Sequence, residues 1–531
     1  MDRLKKFYLN GIIMTVVSIV IRYVSVNFNI YISNKIGAVS MGIFTLVSSV
    51  YGFALTIATS GISLATTKLV SEAMGIGSQK KDYNTEKTVR SVMKKSLLFS
   101  LSTSSATALA LFILAPYLGN RLLGDERTVS SLRILAFSLP AISLSSSLSG
   151  YFTALRRVYK NACVQIFSQA LRIYLCVILL SSTVAKDMES SCVAIVIGIT
   201  VSELLGFLIH LVLYLIEKRK KQGCRTFTNT DLSLSKRLIP ITVPVALSAY
   251  MRSALITIEH LLIPWGLERS GATRDISLAS YGTLHSLVFP LILFPSSISS
   301  SFAGLLVPEI SESDAASDKK RIERIINRVL KTVLIYSVGV AGIMMCLSRE
   351  MGVVLLNNSD SALYISLIAP LIPIMYLDTS VDSILKGLGY QFYSMIINIA
   401  DASMSVILVW LLLPHFGIMG YVITIYFTEI VNATLSITKL LVATKTKVKI
   451  FDWIVKPVLS IIISTVTTNF LIEKSSFISL NYTSLIFCIS IIAVIYLTLL
   501  ILLRAISPKE IKRSIINFWQ QKEKSPCDTG S

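Results

Sequence analysis

The sequence predicts an all-α polytopic membrane protein of about fourteen transmembrane helices, and three observations lead there. Only 15% of the 531 residues are charged and 53% are hydrophobic. A soluble domain carries about 25% charged residues, so most of this chain lacks the polar groups needed to face water; its mean hydropathy is +0.69. Apolar runs recur from end to end, each near the roughly 20 residues that a helix needs to cross hydrocarbon. The short alternating segments of a membrane β-barrel do not recur.

The runs place spans at 8–32, 41–70, 96–117, 129–154, 161–183, 191–216, 238–265, 275–307, 329–356, 362–388, 391–413, 418–442, 452–471 and 484–506. The first follows a basic start, Met1 to Lys6, and continues to Ile32 without a small-residue cleavage site, which reads as a retained helix rather than a signal peptide. Orientation follows from the basic residues. With Met1 inside, 37 Lys and Arg fall in inside segments and seven in outside segments (Lys35, Arg121, Arg127, Lys186, Arg269, Arg274 and Lys474). That asymmetry predicts an even number of crossings with both termini in the cytoplasm of a bacterial inner membrane. It also accounts for the net charge of +20 without a nucleic-acid partner. The seven cysteines show no CxxC or Cys/His spacing, so no metal site is expected.

Residues 1–216 are expected to form an N-terminal lobe of six spans, 217–237 a basic cytoplasmic linker, and 238–442 a second lobe of six. Two extra spans follow in 443–506, then a cytoplasmic tail over 507–531. In that tail, Ser507–Gln521 sets Ile511, Ile515, Phe518 and Trp519 on one helical face, a pattern suited to the membrane surface. An internal repeat supports the two lobes. Superposing Arg22 on Arg252 brings Asn29 over Glu259, and Leu155 and Arg156 over Leu385 and Lys386, all at an offset of 230. Glu203 and Glu429 match at an offset of 226 and read as a shared structural feature. Six spans per repeat make it parallel rather than inverted.

Ionisable groups at mid-span are the functional candidates, because insertion of one costs roughly 2.5–3.5 kcal/mol and it normally faces a cavity or a partner. Arg22 and Arg252 lie about fifteen residues into their spans at equivalent repeat positions. Two guanidiniums on one cavity would grip a phosphate or diphosphate; alternatively each pairs with an acidic neighbour or helix-end carbonyls. Glu259, two turns past Arg252 and followed by His260, either lines the same cavity or balances Arg252. His285 offers a further polar group there, or a helix-packing hydrogen bond. Asp378, Asp382 and Asp401 could bind a coupling Na⁺ or proton, or pair with Arg172 or Lys386. Gly387-Leu388-Gly389 follows no strand, and no P-loop, Ser/His/Asp or metal constellation occurs.

The stretch Tyr281–Ser313, YGTLHSLVFPLILFPSSISSSFAGLLVPEISES, together with Gly42, Gly61, Ala65 and Lys68 in span two and LKGLG at 385–389, resembles the stage V sporulation protein B group. That group lies within the multidrug/oligosaccharidyl-lipid/polysaccharide exporter superfamily, alongside the lipid II flippases. The resemblance covers spans one to twelve. It implies two facing six-helix lobes and flipping of undecaprenyl-diphosphate-linked peptidoglycan precursors in an endospore-forming bacterium, with cell-wall synthesis proteins as partners. Arg22 fits the span-one arginine of the lipid II flippases. The position of their second arginine, six residues on, is Phe28, and their span-eight arginine has no equivalent beyond His285 and Tyr281. A flippase for a lipid-linked saccharide, with Arg22, Arg252, Asn29, Glu259 and His285 as substrate-binding residues, is therefore the expectation. The rivals are a cation-coupled drug exporter of the same fold, a membrane enzyme acting on lipid-linked sugars, and a non-transporting cell-wall scaffold. Short outside loops disfavour the enzyme.

Overall fold

The computed structural model describes residues 2–79, 85–181, 188–220, 233–315, 318–446, 451–474 and 481–505; the expected amphipathic tail Ser507–Gln521 lies outside them. Among the described residues the chain is helical throughout, without a strand. In order it forms α1 (Asp2–Thr59), α2 (Ile62–Gln79), α3 (Thr85–Tyr117), α4 (Thr128–Ala136), α5 (Ser138–Ala154), α6 (Val158–Ser181) and α7 (Met188–Lys220). Then come α8 (Ser233–Arg269), α9 (Arg274–Gly282), a π turn over Thr283–Val288, α10 (Phe289–Leu293), α11 (Ser296–Ala315) and α12 (Lys319–Cys346). The remainder comprises α13 (Ser348–Glu350), α14 (Asp360–Ile368), α15 (Ile372–Gly387), α16 (Gln391–Phe416), α17 (Ile418–Thr444), α18 (Lys456–Lys474) and α19 (Tyr482–Leu502).

Twelve stretches among the described residues are long and apolar enough to cross a membrane, against about fourteen expected. One of them, Val16–Met74, runs for 59 residues, roughly 90 Å if straight and far too long for one crossing. Gly37, at φ 81° and ψ 165°, interrupts it and joins two helices. A side chain there would be strained, and glycine is not. Span eight, expected as one run over 275–307, is instead segmented: the π turn and the prolines at 290 and 295 divide it into α9, α10 and α11.

The helices pack as two compact units. One comprises Phe7–Ser286 with Asn398–Thr424, the other Met1–Lys6, Leu287–Ile397 and Ile425–Ser531. In the first unit Leu69, Met93, Leu148 and Phe152 join α2, α3 and α5 in one core, and Ile32, Met41, Cys176 and Ile195 join α1, α6 and α7 in another. The hydrophobic effect gives little drive for helices to associate in lipid, so hydroxyl contacts and close packing matter more. A ladder of them runs between α2, α3 and α5: Thr66 to Ser96 at 2.5 Å, Ser96 to Ser147 at 2.7 Å and Ser100 to Ser143 at 2.8 Å. In the second unit Ile310, Ile326, Ile384, Leu385 and Leu440 draw α11, α12, α15 and α17 together.

Two features position the site. The backbones of α1 and α9 cross at Gly42 and Gly282, where a Cβ on Gly282 would sit 2.5 Å from the Gly42 nitrogen. That crossing fixes the π turn beside α1. In the turn between α3 and α4, Arg127 Nε donates to Asp125 Oδ1 at 2.8 Å and Arg127 Nη2 to Asp125 Oδ2 at 2.6 Å. Arg274 Nη2 donates to the Leu123 carbonyl at 2.6 Å. Burial alone would push the Asp125 carboxyl up; the Arg127 hydrogen bonds, with the charges of Arg127 and Arg274, outweigh it and hold the carboxyl below its ordinary range.

Gly282→Leu is therefore expected to lower stability by about 1–3 kcal/mol or more, read as a lower Tm in detergent, whereas an unchanged Tm would show that the α1/α9 crossing is not tight. Because the folded pKa of Asp125 is depressed, its contribution is present above the ordinary carboxylate pKa and disappears as pH falls through the folded one. Asp125→Asn should melt below the parent at neutral pH, and the two curves should converge on acidification.

Candidate functional site

The site is built on α8. Positions 250, 253 and 257 share one helical face and fasten it to the second half of α1. Tyr250 OH donates to the Ile57 carbonyl at 3.2 Å, Ser253 Oγ to Thr56 Oγ1 at 3.1 Å, and Thr257 Oγ1 to the Ser49 carbonyl at 3.3 Å. His260 continues this face, with Glu259 beside it. Rotation of α8 is thereby set, and both ionisable residues are delivered to one place.

There four helical segments of the first unit meet around Glu259. Ser405 of α16 and Tyr421 of α17 lie beside its carboxyl group, and Asp401 of α16 lies within electrostatic reach. The Tyr421 hydroxyl is 3.1 Å from His285 Nε2 in the π turn, and His260 Nδ1 is 2.8 Å from the hydroxyl of the buried Tyr281. The imidazoles of His260 and His285 meet edge-on with ring centroids 4.5 Å apart, and Tyr281 lies 4.8 Å from His285.

The π turn itself has a local cause. Pro290 has no N–H to return to the Ser286 carbonyl, and Asn29 Nδ2 of α1 donates to that oxygen at 3.3 Å. Thr45 of α1 pairs with the Ser286 hydroxyl. Single π turns inside α-helices recur at functional sites, and this one carries His285.

The expected residues are thus partly assembled. Glu259, His285 and Asp401 come together, and Asn29 joins them through Ser286. Arg22 is half-buried on α1 and Arg252 is exposed on α8. Asp378 and Asp382 belong to the other compact unit. There Lys386 Nζ donates to Asp382 at 2.5 Å, Ser394 donates to the other oxygen of that carboxylate, and Asn432 Nδ2 donates to Asp378 at 3.4 Å. Arg172 pairs with Glu203. The roles of Tyr421 and Ser405 were not legible in the sequence. Each is an ordinary polar residue in an apolar run more than 140 positions from Glu259, and no spacing links them.

The profile of the family described as "polysaccharide biosynthesis protein" matches residues 8–314, more than half of the chain. The chain belongs to the polysaccharide biosynthesis protein family. A MatE profile also matches over 270–411. Across 96% of this family member's length it is 25% identical to the stage V sporulation protein B of Bacillus subtilis (strain 168), covering 98% of that protein. It is 24% identical to the lipid II flippase MurJ of the same organism over 61% of each chain. Its fold matches an inward-facing multidrug resistance MATE family transporter of the MOP superfamily at a TM-score of 0.63 and 13% identity, covering 82% of this chain and 100% of the other. It also matches lipid II flippase MurJ in an inward closed conformation at a TM-score of 0.58 and 16% identity, covering 90% and 99%. This family member is a multi-pass membrane protein.

Tyr421→Phe removes the hydroxyl that lies 3.1 Å from His285 Nε2. In ¹⁵N-histidine NMR, that substitution should shift the His285 ring nitrogens away from their parent positions, and an unchanged His285 signal would show that the tyrosine hydroxyl does not engage the imidazole.

Proposed function

We propose that the protein is an alternating-access flippase for a lipid-linked oligosaccharide of the undecaprenyl-diphosphate type. In this reading it works in the bacterial cell membrane with both termini in the cytoplasm, in spore-cortex or cell-wall synthesis. The observation that carries it is Arg22, half-buried at mid-span, on a helix whose Ser25 and Asn29 make polar contacts to other helices. A guanidinium at that depth faces a cavity or a partner, and a diphosphate fits its forked geometry. The head group enters a basic cavity while the prenyl tail stays in lipid. The six-helix lobes over 1–216 and 238–442 then rock to expose the cavity outside. The names of the relatives, a sporulation protein and a lipid II flippase, support the cargo class and the setting. Arg252 adds a second cation on α8, and Glu259, Asn29 and His285 shape the polar wall.

An inside-negative potential opposes return of the anionic head group and can drive the cycle. Glu259 with Asp401 is the carboxylate pair offered for Na⁺ or proton coupling, since Asp382 is already neutralised by Lys386. This pair also favours a second reading, a cation-coupled exporter, consistent with the MatE match over 270–411.

Proteoliposomes loaded with undecaprenyl-diphosphate-linked sugars separate the two. A charge-assisted hydrogen bond contributes about 1.5–3 kcal/mol, so Arg22→Ala should slow flipping roughly 10- to 100-fold, and Arg252→Ala should also slow it. Equal transport by the parent and both variants would remove the arginines from the site. Absence of any lipid-linked flipping, together with proton- or Na⁺-driven dye efflux, would establish the exporter.

A further inference from the structure

The Arg172–Glu203 pair lies apart from the cluster around Glu259, and its surroundings are unlike those of a simple helix clip. Helices α6 and α7 run antiparallel at very close range. A Cβ on Gly198 would lie 2.6 Å from Cys176 Sγ, and one on Gly206 would lie 2.3 Å from Ser168 Oγ. These two contacts fix a register in which Arg172 falls midway, opposite Glu203. Arg172 Nη2 donates to Glu203 Oε1, a single-point contact rather than a fork. Its Nε is buried and has no hydrogen-bond partner among the described residues. The side chain keeps 28% of its surface exposed and Glu203 keeps 23%, so the pair is reachable yet incompletely satisfied. A buried N–H without an acceptor is unfavourable, so the guanidinium is under-satisfied where it stands, and its exposed part is what a ligand oxygen can reach.

The direction in which Arg172 can act is set by α1. Gln169 Nε2, one turn before Arg172, donates to Ser25 Oγ at 3.2 Å, and Ser25 is one turn after Arg22. Beyond that contact Phe28 and Ile32 of α1 share a core with Ile173, Cys176 and Leu180 of α6. Residue numbers therefore climb together, and the two helices run parallel here. Arg22 sits one turn before the Ser25–Gln169 contact and Arg172 one turn after it, about 9 Å of axial rise in all. Arg172 is also on the opposite side of α6 from Phe167, Tyr174 and Ile178, whose exposed side chains form the apolar face.

We propose that Arg172 is an anion-binding residue, a further guanidinium that receives phosphate or diphosphate oxygens together with Arg22, with Glu203 as the residue that positions it when the site is empty. A single-point ion pair is suited to this use. It holds the guanidinium in place at mid-membrane and leaves its remaining exposed N–H groups for a ligand. The same chemistry is presented by a lipid-linked diphosphate and by inorganic diphosphate. The inference rests on the proposed cargo only in naming the lipid-linked form.

The test uses the full chain in nanodiscs, with binding of an undecaprenyl-diphosphate-linked disaccharide and of inorganic diphosphate measured separately for the parent, Arg172→Ala, Glu203→Gln and the apolar double variant R172M/E203L. Anion binding predicts at least a tenfold loss in Arg172→Ala and in the double variant, with binding retained or tightened in Glu203→Gln, which releases the guanidinium. If the pair only joins two helices, Arg172→Ala and Glu203→Gln weaken binding equally and the double variant restores it; that result, or parent-like binding by Arg172→Ala, overturns the proposal. Arg172-dependent binding of inorganic diphosphate without binding of the lipid-linked form would keep the anion site and remove the proposed cargo. Binding of neither ligand by the parent overturns both.

Discussion

An ionisable side chain at membrane depth has to be satisfied by protein or by water, since hydrocarbon offers neither partner nor solvation. Most of the informative structure in this chain follows from that constraint. Asp382 is neutralised within its own helix by Lys386, and Glu203 is met by Arg172. Glu259 draws hydroxyls from two other helices. Each solution fixes the rotation of a helix as well as a charge. The three hydroxyl bonds from α8 to α1 do the same work with neutral groups and deliver Glu259 and His260 to the site.

The class of fold was legible in the sequence because hydropathy is a local property: spans, basic inside segments and the absence of strand periodicity can all be read along a line. Boundaries within spans were less so. Gly37 is one glycine among 25, and only its positive φ shows that it joins two helices. The segmentation of span eight could have been suspected from Pro290 and Pro295. The contact that fastens the π turn to α1, however, comes from Asn29, which reaches the Ser286 carbonyl from more than 250 residues away.

Recognition of site residues divided along the same line. Rarity marked Glu259, His285 and Asp401, since charged or imidazole groups inside apolar runs stand out, and the structure brings those three together. Tyr421 and Ser405 carry no such mark, because tyrosine and serine are common in membrane helices and gain meaning only from their neighbours. Arg172 was noticed as a counter-ion for a carboxylate, and its carboxylate proved to be Glu203 of the adjacent helix, selected by the glycine-set register of α6 and α7.

The proposed cavity requires that a polar stripe shared by α1 and α6, made of Ser25, Asn29 and Gln169, faces water inside the membrane. Single cysteines at Ser25, Asn29 and Gln169 in a cysteine-free background, probed in intact membranes with an impermeant maleimide, test it most directly. Controls at Tyr174 and Ile178 report the exposed apolar face of α6. The account predicts labelling at the three stripe positions from one side of the membrane and none at the two controls. Stripe positions as unreactive as the controls would contradict it.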